Sequence, residues 1–494
     1  MKSEVKTALL IAVLATASPA IAGDLLIENV TVVTPDRTQP LANQSVLIHN
    51  DRIAQISAKP LKAPAGTARL NGSGKFLTPG LMDSHVHLTT PPGLPMGSSD
   101  PALAPLFDAF NQQQPRSYLY FGVTQVLDLA QFGNGLQTFE AQPQHPDLFR
   151  CAAAPILDGY PTVFIDQKVR YEAVPDYIFE PANAKAHPLP AGAKESDHTP
   201  EAIVDRIATS GAICMKIFIE DGFGPAADWP MPSKDTLQRI RAATRKRGLI
   251  LIAHANALGM QRIAVDTQVD VIAHGLWNWD EAANQPGVPA AIATHLKRVH
   301  ASGIGYQPTL RVIAGIADLF REDTLKDPTY AKVVPGPLLE WYASDAGQWY
   351  KRGMRQDYGG MPDSKIASIH LQIGERGMRA VHYLNELGHP LLLGSDTPSS
   401  PTFGNQPGYD TYRELRLLAQ SGVPLDAIFR AGTINNARQF HLDKDYGTVA
   451  AGKIANLLLL DTNPLESVRA WSQIDKVILR GNVIERETLA ADRK

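Results

Sequence analysis

No part of the chain limits its fold as strongly as Pro79-Gly80-Leu81-Met82-Asp83-Ser84-His85-Val86-His87. A Pro-Gly turn opens a short apolar strand. Side chains alternate along a strand, so His85 and His87 leave it on the same side. Two imidazoles side by side at the end of a buried strand make half of a metal site. The other half must come from distant segments of the 494-residue chain.

From residue 81 to about 441, strand-like runs alternate with helical ones. Residues 122–129, 148–157, 212–219, 249–254, 269–274, 303–309 and 390–395 read as strands. With 81–87 that makes eight, and eight strands alternating with helices predict a parallel (β/α)8 TIM barrel. One intervening helix, 234–247, has Ser233 as its N-cap and Gly248 as its stop. Both chain ends are rich in strands instead. Residues 25–33, 44–49, 52–57 and 67–77 match 455–461, 474–480 and 482–486 in style, with turns at Asn50-Asp51 and Gly481. The expected organisation is a barrel over 80–445 and a small β-sandwich domain built from 23–79 and 446–494.

The first 22 residues stand apart. Lys2 and Lys6 precede an apolar run, 8–17, too short to span a bilayer, and Ala20-Ile21-Ala22 is a cleavage signature. These features predict a signal peptide cut after Ala22 and a periplasmic or secreted protein with no stable membrane insertion. A net charge of −3 offers no basic footprint for nucleic acid. The long connections 89–117, 158–200 and 311–366 follow strands one, three and seven. They are candidate lids and substrate walls, or equally surface decoration or a subunit contact in a homo-oligomer.

The strand ends carry the chemistry. His85 and His87 end strand one, Lys216 strand four, His254 strand five, His274 strand six and Asp396 strand eight. Barrel enzymes place reacting groups at this end of their strands. Histidine and aspartate suit zinc. Four histidines and an aspartate exceed the needs of one catalytic zinc, which favours two divalent ions about 3.5–4 Å apart. A protonated lysine, with an ordinary pKa of about 10.4, would repel both. Reaction with CO2 would convert Lys216 to an anionic carbamate whose two oxygens can bridge the pair; the alternative is an ordinary lysine paired with a carboxylate.

These residues, in this order, resemble the amidohydrolase superfamily. So does the segment Gly447-Thr448-Val449 with Gly452-Lys453-Ile454-Ala455-Asn456-Leu457, although many relatives have Asp where Asn456 stands. The resemblance implies a binuclear centre, most often zinc, bridged by carboxylated Lys216 and a hydroxide. His85, His87 and Asp396 would hold the more buried ion, and His254 and His274 the more exposed one. The phrases Leu251-Ile252-Ala253-His254-Ala255, Ile272-Ala273-His274-Gly275 and Gln307-Pro308-Thr309-Leu310 resemble the imidazolonepropionase-related branch that includes Xaa-Pro dipeptidases. Imidazolonepropionase itself fits less well, because mononuclear members need no lysine on strand four.

The implied reaction is cleavage of a C–N amide bond in a small molecule, such as an Xaa-Pro dipeptide or an N-acyl amino acid. The bridging hydroxide would attack the carbonyl, with Asp396 as general base and then general acid. The same centre could serve a lactonase, a carbamate hydrolase or a phosphotriesterase. A barrel kept only as a scaffold tends to lose its ligands, and here the set is complete. Tyr306, Tyr160, Arg311 and Trp277 are candidate substrate contacts, and Thr309 a further one. Asp83 reads as a hydrogen-bonding structural residue. Cys214 has no base beside it and reads as a packed thiol; Cys151, on the adjacent strand, could pair with it.

Overall fold

The computed structural model describes residues 24–492, apart from 96, 97, 99, 131–134, 224–227 and 400. The expected signal peptide lies outside the described residues. Strands β1 (Leu25–Val32), β2 (Leu41–His49), β3 (Arg52–Ser57), β4 (Ala68–Asn71) and β5 (Phe76–Pro79) lead into β6 (Leu81–Val86), β7 (Val123–Asp128), β8 (Asp147–Ala153), β9 (Cys214–Phe218), β10 (Ile250–His254), β11 (Val271–Ala273) and β12 (Gly305–Gln307). Then β13 (Leu457–Leu460), β14 (Ile474–Leu479) and β15 (Asn482–Glu485) complete the chain's strands.

Both chain ends share one sheet, in the order β15-β14-β13-β5-β1-β2-β3, with β4 also on β1. The expected two-layer sandwich is thus one hydrogen-bonded sheet of eight strands. The reason lies in β1. Its residues 25–28 pair with β4, and Thr31 and Val32 pair with β5. The change of partner spans Asn29, which sits at φ 58°, a left-handed conformation that Asn adopts more readily than most residues. Leu25, Ile27, Val32, Ile48, Leu457 and Leu459 form the buried face. The turns fall as the sequence predicts, with Asn50 at φ 55° and Gly481 at φ 81°.

Asn456 explains itself in this sheet. Its amide donates to Asp147 Oδ2 at 2.7 Å, and that carboxylate also accepts from Tyr446 and Arg480 at 2.8 Å each. An aspartate here would set a second carboxylate against Asp147.

Strands β6 to β12 form one parallel sheet in chain order. The expected eighth strand is not a regular strand. Residues 391–397 instead run between β12 and β6, hydrogen-bonded to both. Leu392 N donates to Tyr306 O at 3.0 Å and Asp396 N to His85 O at 2.8 Å, while Ser84 and His87 donate to Leu393 O and Thr397 O at 3.0 Å each. The ladder breaks because its other donors turn elsewhere. Pro390 has no N–H, Leu393 N goes to Ala431 O at 3.2 Å, and Ser395 N goes to Asp83 Oδ1 at 3.0 Å. Asp83 also accepts from His85 N at 3.2 Å and Thr411 Oγ1 at 2.6 Å. It therefore has the structural role read from the sequence, and burial pushes its carboxyl up to about 6.

Helix Lys234–Arg247 starts where Ser233 Oγ accepts from Thr236 N and ends at Gly248, φ 69°. Among the described residues no helix is long and apolar enough to cross a membrane.

Cys151 on β8 and Cys214 on β9 are directly paired across the sheet and form a disulfide, Cα to Cα 4.5 Å. It closes a separation of 63 residues. Replacing both cysteines by alanine is expected to cost about 2–4 kcal/mol. The check is the urea midpoint of the double variant against oxidised wild type, with reduced wild type falling towards the variant.

Candidate metal centre

Each strand end delivers its side chain to one place because the strands are parallel and in register. Lys216 pairs with Ile252, two residues before His254, and His254 pairs with Ala273, one residue before His274. The closing segment then sets Asp396 between β6 and the rest, at φ 54°.

Asp396 Oδ1 lies 3.1 Å from His85 Nε2 and 2.9 Å from His87 Nε2, and Oδ2 lies 3.5 Å from His274 Nδ1. Lys216 Nζ lies 3.1 Å from His85 Nε2, so its close neighbour is an imidazole. Ligand atoms of His85, His274 and Asp396 all fall within 4.8 Å of one another. The ring of His254 is 4.5 Å from that of His274, centroid to centroid. All six sequence-predicted residues therefore meet in one pocket.

The electrostatics suit a cation. Burial draws His85 down to about 3, with Lys216 adding to it. His274 is held well below its usual range by burial and by His254. These rings are neutral, with lone pairs available. Burial also lowers Lys216 to about 8, which raises the share of neutral amine, the form able to attack CO2. Burial favours the acid form of Asp396, but its contacts with His85, His87 and His274 draw its carboxyl well below the usual range. One observation tests the fit. Asp396 Oδ1 is fully buried and has no hydrogen-bond partner among the described residues, despite two imidazole nitrogens at contact distance. A buried acceptor left unsatisfied is costly, and a divalent ion shared by these atoms would remove the cost.

Not every candidate reaches the site. Tyr306 is fully buried, and its hydroxyl accepts from Leu276 N at 2.7 Å. It packs against the barrel wall because alternation sends Gly305, Gln307 and Thr309 to one side of the strand and Tyr306 to the other. Thr309, by contrast, touches His274 Nδ1 at 3.1 Å. Arg311 is also withdrawn. It is locked in buried pairs with Asp318 at 2.9 Å and Asp410 at 3.2 Å, with no reach left for a substrate carboxylate. Trp277 stands beside His274, ring centroids 5.4 Å apart, but is buried. Tyr160 does border the site, 4.6 Å from His254.

Two residues went unread in the sequence. Glu220 is buried and its Oε2 lies 3.0 Å from both His254 Nε2 and Asn256 Nδ2. Gln307 Oε1 lies 3.1 Å from His85 Nδ1, and its amide donates to Ser84 O at 2.8 Å. Such partners fix the ring orientation of a ligating histidine. The rim comes from the long connections. The indoles of Trp341 and Trp349 both donate to Gly93 O at 3.1 Å, joining the connection after β12 to that after β6.

With barrel, end-sheet and donor cluster described, comparison with known proteins shows what the chain is similar to. Residues 361–484 match the Amidohydrolase family. Across 94% of this chain the fold is similar to that of a prolidase complexed with N-methylphosphonate-L-proline (all of that chain, TM-score 0.65, 19% identity). It is similar over the same share to a Xaa-Pro dipeptidase with bound methionine in the active site (all of that chain, TM-score 0.64, 17% identity). The Arabidopsis thaliana protein LONG AFTER FAR-RED 3 is 45% identical over 71 residues, 14% of this chain and 12% of that protein. The family match thus covers residues 361–484, and over nearly the whole chain the fold is similar to that of the dipeptidase-like structures.

Proposed function

We propose that this protein hydrolyses the C–N bond of a small amide, either a dipeptide such as Xaa-Pro or an N-acyl amino acid, at a binuclear zinc centre. The observation that carries the reading is the buried carboxylate oxygen of Asp396, without a hydrogen-bond partner among the described residues, between the imidazoles of His85 and His87. His85, His87 and Asp396 would hold one ion, His254 and His274 the other, and Lys216, as its carbamate, both. Bound there, the ions would polarise the scissile carbonyl and lower the pKa of water towards about 7. Asp396 takes a proton from the attacking water and passes it to the leaving nitrogen. An amide needs that second transfer because amine anions leave poorly. Residues 391–397, hydrogen-bonded on both sides, then serve as the eighth strand of a (β/α)8 barrel.

Turnover measured on Xaa-Pro dipeptides, N-acyl amino acids, lactones, carbamates and phosphotriesters tests the reading. The amides should lead, with activity lost on chelation and restored by zinc. A ranking led by lactones or phosphotriesters would move the assignment to those bonds. Glu220→Ala should lower zinc affinity about 10–100-fold, the scale for partners of ligating histidines; unchanged affinity would remove Glu220 from that role.

Residues 1–22 direct export in this reading, which the Cys151–Cys214 disulfide supports, since such bonds persist in oxidising compartments. N-terminal sequencing of the mature protein should begin at Gly23.

A further inference from the structure

We propose that the metal centre opens onto an aromatic subsite that selects substrates with an aromatic or other large apolar group beside the scissile bond. The proposal rests on the hydrolase reading above and names its substrate class.

The subsite starts at the metal centre. Tyr160 has its ring 4.6 Å from that of His254, and Phe218, ending β9, lies 5.6 Å from Tyr160. The Phe218 ring is also 5.8 Å from Lys216 Nζ, so the inner end of the wall touches the reacting region. From Tyr160 the rings continue outward. Trp229 lies parallel to it at 5.9 Å, and Phe223 and Phe164 meet it edge-on at 5.4 and 6.1 Å. The last two are 60% and 64% exposed.

Two connections, those after β8 and β9, thus send aromatic rings to one flank of the centre, beside Phe218 at the end of β9. Phe218 is buried, Tyr160 and Trp229 are half-buried, and the outer two turn apolar faces to water. Exposed large apolar faces clustered at a pocket mouth mark a binding surface more often than scattered ones do. The ring packing has centroid separations of 5.3–6.4 Å among Tyr160, Phe164, Phe223 and Trp229. That leaves no room for a guest between the rings, so a ligand lies against the wall.

The test uses the zinc-loaded full chain and two probes, N-acetyl-L-phenylalanine and N-acetylglycine, in titration calorimetry. Burying one ring against the wall predicts about 10–100-fold tighter binding of the phenylalanine probe. The double variant Phe164→Ala, Phe223→Ala should lose most of that preference. Both side chains are largely exposed, so their removal leaves the core intact. The same variant should lower kcat/KM on phenylalanine-bearing amides by a similar factor. Equal affinities in the wild type, failure of both probes to bind, or a preference that survives the double substitution would each overturn the subsite. Selective binding without turnover of any amide would leave the subsite standing and refute the hydrolase reading.

Discussion

Lys216→Ala is expected to abolish turnover and to strip the protein of metal. Lys216 is fully buried, with Nζ 3.1 Å from His85 Nε2. As an ammonium it would repel two cations; as a carbamate it would supply two anionic oxygens between them. Alanine removes that bridge and leaves the ions to imidazoles and one carboxylate. The loss should exceed the roughly 10–100-fold change in metal affinity seen when an outer partner is removed. The vacated space should admit a small carboxylate, so short carboxylic acids with added zinc should restore part of the activity. Metal analysis and turnover on the same preparation check both statements. Wild-type turnover in Lys216→Ala would end the binuclear account.

Asp396→Asn separates metal binding from proton transfer. The amide keeps the size and an oxygen donor, so some metal should remain. It cannot carry a proton at neutral pH. A general acid–base residue contributes about 10²–10⁴-fold, and kcat should fall within that range or further, since a formal charge is lost as well. An unaffected rate in the variant would remove Asp396 as the proton carrier.

The candidate metal cluster was legible because strand alternation and strand-end position are written directly in the sequence. His85, His87, Lys216, His254, His274 and Asp396 each end an apolar run, and a parallel barrel brings such ends together. At β12 the same rule separates two of the candidates. Tyr306 and Thr309 cannot share a face, being an odd number of residues apart, and it is Gln307 that points with Thr309 towards the site. Glu220 could have been found in the same way, since it continues the parity of Lys216 and Phe218 beyond the strand.

Arg311 lay beyond this kind of reading. Asp318 stands two turns along Arg311's own helix, but Asp410 comes from a remote one, Tyr409–Gln420, and no local pattern announces that meeting. The irregular eighth segment was hidden for a related reason. An apolar run ending in Gly394-Ser395-Asp396 reads as a strand, yet Asp83 and Ala431, both remote in sequence, capture two of its donors. The aromatic flank escaped notice because Phe164, Phe223 and Trp229 fall in connections with no periodicity. Only Tyr160 was singled out there.

The most direct measurement is anomalous diffraction at the zinc edge from crystals of active protein grown with zinc and bicarbonate. The account predicts two peaks about 3.5–4 Å apart, bounded by His85, His87, His254, His274 and Asp396, with extra density on Lys216 Nζ. A fully active protein with one peak, or none, and a bare lysine amine would contradict it.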